Sequence, residues 1–180
     1  MAIQPKKEPS KAFKTASLGL LLAQAIALSY IEGLMPSFSF LPPGAKPGFS
    51  NIITMFTAAA VGLPEALIIA VLKSGFVLLT RGITAFIMSI AGGIASVIVM
   101  YILLRGQHGL ILTGILGACT HNLAQLLVSS VIIGKVVFAY TPFLLLFAVA
   151  AGVITGLILR VLMPYLKHQF NFISRTGSKK

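Results

Sequence analysis

From residue 15 to residue 165 the chain is one apolar run after another, parted only by short polar or Gly/Pro-rich junctions. A hydrocarbon core about 30 Å thick takes roughly 20 apolar residues of helix at 1.5 Å each. The runs are 15–35, ended by Pro36; 51–62, stopped at Pro64 and Glu65; 66–80, which contains Lys73; 84–104; 110–133; and a last one from 137 or 141 to 165. The expected fold is therefore all-α, a polytopic membrane protein with six transmembrane helices. A basic tail (1–13) precedes the membrane domain (14–166) and a second basic tail (167–180) follows it. The second and third runs are short for upright crossing, so the second is read as tilted, extended upstream or partly re-entrant. Merging the two would give five spans and put the termini on opposite sides.

Composition excludes much else. The 180 residues are 57% hydrophobic and 9% charged, against about 25% charged in soluble domains. That rules out a soluble globule, a disordered chain and a coiled coil. The only acidic residues are Glu8, Glu32 and Glu65, and no Asp occurs. Chemistry that holds Mg²⁺ against a diphosphate with clustered aspartates is thereby excluded. There is no GxxxxGK[ST] loop, so any nucleotide hydrolysis belongs to another chain. The single Cys119 forms no intrachain disulfide and no zinc cluster. No enzyme activity, metal or cofactor is expected.

The net charge of +11 is concentrated beside the first and last spans. Anionic lipid headgroups and cytoplasmic anchoring explain that placement, and nucleic acid is not an expected partner. With both termini inside, ten of the 14 basic residues are cytoplasmic; Lys46, Arg81 and Lys135 lie outside and Lys73 within the membrane. The expected location is the plasma membrane, multi-pass, with both termini cytoplasmic. The first apolar run is too long for the core of a cleaved signal peptide.

Ionisable groups at membrane depth are costly and mark candidate sites. Lys73 lies roughly 13 Å along its helix from Pro64. It either serves a site or snorkels to an interface. His121 lies roughly 16 Å into the fifth run. His121 and Gln125 are four apart and share a face, with Asn122 one step round. These three either hydrogen-bond a ligand or join helices. Glu32 ends the first span, and the loop that follows carries three prolines and two glycines in 42–51, with Lys46 and Asn51. A loop so stiffened can act as a lid. Lys46, Lys73 and Arg81, opposed by Glu32 alone, favour an anionic or polar-headed ligand, although a salt bridge to Glu32 is an equal use of those charges. Small residues recur every four positions at Gly19, Ala23 and Ala27 and at Ala148, Gly152 and Gly156, and Gly92 and Gly93 sit in the fourth span. For the fourth and sixth spans this spacing reads as internal packing; the first could present its face to a partner.

Glu32, the segment Pro-Gly-Ala-Lys-Pro-Gly-Phe-Ser-Asn at 43–51, a basic residue in the third span, Ser-Ile-Ala-Gly-Gly at 89–93 and His-Asn-Leu-Ala-Gln-Leu at 121–126 follow one another in an order that resembles the Gx transporter family. That family is often labelled heptaprenyl diphosphate synthase component I, and the resemblance covers about 14–166. It is similar to the substrate-binding S-components of energy-coupling factor (ECF) transporters. The resemblance implies a six-helix bundle that takes a vitamin-like molecule from outside and is lidded by its first loop. It further implies docking through an AxxxA face, here Ala23 and Ala27, onto a membrane coupling subunit driven by two ATPases. The expected function is thus a ligand-capturing subunit for a small anionic or polar-headed, vitamin- or isoprenoid-related molecule. Lys46 and Asn51 would close the lid, Lys73 and Arg81 attract negative charge, and His121, Asn122 and Gln125 hydrogen-bond the ligand. Glu32 would pair with a cation or a ligand donor. The alternative is a membrane subunit assisting quinone- or flavin-linked extracellular electron transfer or polyprenyl and quinone metabolism. A membrane prenyl or phosphoryl transferase is a third reading, disfavoured by the missing Asp.

Overall fold

The computed structural model describes residues 11–34 and 48–176, with side chains through 165. In lipid each backbone N–H and C=O must be satisfied within its own segment, so apolar runs of this kind become helices. The described elements are α1 (Lys11–Leu34), α2 (Asn51–Ala60), α3 (Leu63–Arg105), α4 (Leu110–Ile132), a 3₁₀ turn (Lys135–Tyr140) and α5 (Thr141–Thr176), with no strand among the described residues. Four of these stretches are long and apolar enough to cross a membrane: Lys11–Leu34, Leu63–Arg105, Leu110–Ile132 and Lys135–Tyr165. That is fewer than the six spans expected from the sequence, for two physical reasons. The 10 residues of α2 reach only about 15 Å, half a hydrocarbon core. The third and fourth apolar runs, in turn, are joined in one element of 43 residues.

That long element is a hairpin. A straight α3 would measure about 64 Å. Gly82 breaks it with φ 83 and ψ −179, a conformation that favours glycine because it has no Cβ. The hydroxyls of Ser74 and Ser89, 15 residues apart, lie 3.0 Å from each other; along a straight helix they would be separated by roughly 22 Å. A Cβ on Gly93 would sit 3.5 Å from that of Ala70. The limbs 63–81 and 83–105 are therefore antiparallel and correspond to the third and fourth runs.

The remaining helices follow by the same reasoning. An ion pair from Lys14 to Glu65 and edge-to-face rings of Tyr30 and Phe76, 6.4 Å apart, set α1 parallel to the first limb. Met100 against Gly117 and Ser129 against Met88 at 3.6 Å set α4 antiparallel to the second limb. Gly114 against Gly152 and Gly156 sets α5 antiparallel to α4. The start of α1 and the end of α5 thus lie at one end of the bundle, and Glu32, Gly82 and the 3₁₀ turn at the other. Asn51, the first residue of α2, is bonded to Lys73 partway along the first limb. Of the readings offered for the second run, a partly re-entrant one describes this geometry: α2 occupies only the half of the bundle nearer the termini.

Helix ends depart modestly from expectation. The first helix begins at Lys11, ahead of residue 14, and the last continues to Thr176, beyond the expected boundary at 166. Leu21, Ala25, Met55, Phe56, Ile69, Val97, Met100 and Leu159 form the core of the terminal half, joining α1, α2, both limbs and α5. Large apolar side chains such as Leu79 and Val131 stand more than four-fifths exposed on the outer face, as suits a surface bathed in lipid. Gly92, Gly93, Ala148, Gly152 and Gly156 are buried, as internal packing requires, whereas Gly19, Ala23 and Ala27 stay exposed along α1.

Candidate buried ligand cleft

Four parts of the chain meet at the end of the bundle away from the termini. The last turn of α1 places Glu32 there, 5% exposed. The turn 48–51 lies against it. Gly48 adopts φ +84, and the Asn51 and Ile52 amides donate to the Gly48 and Phe49 carbonyls at 2.9 and 3.0 Å. The Phe49 amide then donates to Glu32 Oε1, and the Ser50 hydroxyl donates to Oε2 at 3.2 Å.

Ser50 occupies the N-cap position of α2, yet its side chain makes no capping hydrogen bond. A Ser cap ordinarily contributes about 1 kcal/mol to its helix. Here the hydroxyl is turned instead into the bundle, where it also accepts from Lys73 Nζ at 3.1 Å. Asn51 Oδ1 accepts from the same ammonium at 3.3 Å. Lys73 is 2% exposed, so it does not snorkel. Carboxylate, hydroxyl and ammonium form a relay that ties the turn to α1 and to the first limb. Arg81 enters beside them, its Cδ 3.7 Å from where a Cβ on Gly33 would be, near enough to Glu32 to feel its charge.

Helix α4 supplies the opposite wall. Gln125 Nε2 lies 2.8 Å from His121 Nε2. With the amide donating, the imidazole is neutral and carries its proton on Nδ1. The ring lies between two glycines: a Cβ on Gly92 would meet Nδ1 at 2.8 Å, and one on Gly48 would meet Cδ2 at 3.5 Å. His121 Nδ1 and Gln125 Oε1 have no hydrogen-bond partner among the described residues.

Glu32, Lys73, Arg81, His121 and Gln125, together with Ser29, Gly48, Ser50 and Ser89, line one cleft. Its volume is about 20 Å³, space for little more than one water. Gly48 and Ser50 bring the turn 48–51 into its lining.

Five of the eight residues expected to bind ligand thus face one cavity, and Asn51 borders it through Lys73. Asn122 does not join them. It points to α5, where Nδ2 donates to the Leu144 carbonyl at 3.4 Å, a bond that joins two helices. Lys46 lies outside the described residues. Ala23 and Ala27 are on the exposed face of α1, facing away from the packed interior. Sequence reasoning missed Ser50, Gly48 and Gly92. A Ser ahead of an apolar helix is an N-cap signal, and nothing local tells that its hydroxyl is diverted. Among the described residues no group of three His, Cys, Asp or Glu could hold a metal ion.

A family model for heptaprenyl diphosphate synthase component I matches residues 21–162. The chain belongs to that family. The matched stretch runs from α1 into α5 and contains every cleft residue. No curated protein and no solved structure matches the chain. Of the three carboxylates, Glu32 is engaged by the turn 48–51 and Glu65 by Lys14. A Mg²⁺–diphosphate centre takes several oxygen ligands at one point.

Proposed function

We propose that this chain is the ligand-capturing membrane subunit of an ECF-type transporter, S-component-like in being a bundle of six helical segments once the α3 hairpin is counted as two limbs and the short α2 is included. One observation carries the reading: a polar, charged cleft within an apolar bundle, lined in part by the turn 48–51. Fixed polar groups in an apolar cavity are what orients and selects a small ligand. The cleft lies at the end opposite the termini. With the basic termini in the cytoplasm of a plasma-membrane protein, it faces outward, and the ligand enters past the turn 48–51, of which Gly48 and Ser50 line the cleft.

The mechanism follows from the bonds that must change. Entry withdraws residues 48–51 and frees Glu32 and Lys73 from Phe49, Ser50 and Asn51. A small anionic or polar-headed molecule, vitamin- or isoprenoid-related, then supplies the missing partners. Lys73 and Arg81 receive its negative end, and His121 and Gln125 hydrogen-bond its other polar group. The ligand is released by a separate module of one coupling subunit and two ATPases. The exposed face with Ala23 and Ala27 supports docking there, since small residues let helix backbones approach closely. The family description names a component, in keeping with a protein that works within an assembly.

Lys73→Met tests the site. Losing a charge-assisted hydrogen bond costs about 1.5–3 kcal/mol, a drop in affinity of roughly 10- to 100-fold. Protein purified from its native membrane should then retain about a tenth or less of the small molecule held by wild type, with its unfolding temperature nearly unchanged. Wild-type retention in Lys73→Met would remove Lys73 from the site.

A further inference from the structure

The turn 48–51 presents the cleft with a fixed pattern of hydrogen-bonding groups. The Phe49 amide donates to one oxygen of Glu32, and the Ser50 hydroxyl donates to the other at 3.2 Å. Lys73 Nζ donates to that same hydroxyl at 3.1 Å and to Asn51 Oδ1 at 3.3 Å. Along three consecutive residues the order is donor, donor with acceptor, acceptor. All three groups are uncharged: a peptide amide, a hydroxyl and a carboxamide. Glu32 and Lys73 are 5% and 2% exposed, and charges so buried are costly to leave without partners. Whatever takes the place of the turn has to meet the same carboxylate and the same ammonium. Ser50 helps the exchange: its hydroxyl makes no cap to α2 while it holds Glu32, and it regains that option on release.

We infer that the recognised end of the ligand is an uncharged planar edge of two adjacent N–H donors followed by a carbonyl acceptor, the edge of a 2-amino-4-oxopyrimidine ring. The inference rests on reading the cleft as a ligand site from which the turn withdraws on entry, and it selects the polar-headed class over the anionic one. Two parallel N–H groups match the two oxygens of Glu32, as the Phe49 amide and the Ser50 hydroxyl do. The carbonyl beside them accepts from Lys73 in place of Ser50 and Asn51. An edge that carries a carbonyl where the first donor belongs sets one acceptor against another, and a buried site rejects such a mismatch strongly. A plain carboxylate ligand answers Lys73 but brings no donor to Glu32.

The test uses full-length protein, depleted of bound small molecules, and three probes. Isocytosine carries the donor–donor–acceptor edge, uracil places a carbonyl on each side of one N–H, and acetate is an anion with acceptors alone. Thermal unfolding is followed with each at equal ionic strength. Isocytosine at saturating concentration should raise the midpoint by about 2 °C or more. Uracil and acetate should not, and Lys73→Met should abolish the isocytosine shift. Glu32→Gln exchanges one acceptor for a donor, so in that variant uracil should become the stronger stabiliser. If Glu32→Gln fails to fold, the wild-type comparison of isocytosine with uracil decides alone. Uracil or acetate equal to or better than isocytosine in wild type, with a shift that depends on Lys73, overturns the edge while leaving the cleft a ligand site. No isocytosine shift, or one that persists in Lys73→Met, also overturns the edge; the ligand-site reading is then decided separately by the small molecule that Lys73→Met retains from its native membrane.

Discussion

Glu32→Leu should lower the unfolding midpoint by about 10 °C, an effect larger than that of any other single change in the cleft. Removing one partner from a buried charge pair costs about 3–5 kcal/mol, because the remaining charge is left uncompensated. For a chain of this length each kcal/mol moves the midpoint by about 2–4 °C. In this cleft the loss is compounded. Among the described residues that line the cleft, Glu32 is the one acid beside Lys73 and Arg81, and it also accepts from the Phe49 amide and the Ser50 hydroxyl. Lys73→Met leaves Glu32 with Arg81 in the same lining, so its midpoint should stay within about 3 °C of wild type. Thermal unfolding of the two variants side by side measures the asymmetry. Equal losses would show that the ammonium and the carboxylate are matched one to one.

The second large effect concerns the seam between α4 and α5. A Cβ on Gly152 would lie 2.4 Å from Ile115 Cα and 2.7 Å from the Gly114 carbonyl oxygen. Those are backbone atoms, which cannot rotate away as a side chain can. Gly152→Val therefore has to force the helices apart. Overpacking costs about 1–3 kcal/mol where side chains can adjust, and here the upper end applies, a fall of about 6–12 °C. The displaced α4 carries His121 and Gln125, so ligand retention should fall with stability. Gly75→Ala is the control. No atom lies within 4 Å of a Cβ at that position, and replacing a helical Gly by Ala gains about 0.5–1 kcal/mol. A Gly152→Val protein as stable as Gly75→Ala would mean that α4 and α5 are not in backbone contact.

What could be read from the sequence is what depends on local periodicity. The apolar runs located α1, both limbs of α3, α4 and α5, since each run is long enough to declare its helix. Spacing put His121 and Gln125 on one face, and depth singled out Lys73. These are properties of one segment at a time. The remaining features come from contacts between segments. Gly82 sits in an ordinary polar junction, and only the Ser74–Ser89 contact identifies a tight hairpin. Asn122 differs from His121 by one step around the helix, about 100°, and that step turns it towards Leu144 on α5. Ser50 carries the ordinary signature of a helix cap and is diverted because Glu32 and Lys73, distant in sequence, offer stronger partners. The short second run was legible as short; why it stops halfway, beside Lys73, is a matter of tertiary structure.

The most direct test of the transport role is to purify the tagged protein gently from its native membrane and identify by mass spectrometry the chains and small molecules that accompany it. A coupling subunit with ATPases, and a bound anionic or polar-headed small molecule, are the expected companions. They should be lost when Ala23 and Ala27 are both replaced by Leu, while the small molecule stays. Flavoproteins or quinone enzymes recovered without any ATPase would contradict the transport role and favour an electron-transfer subunit instead.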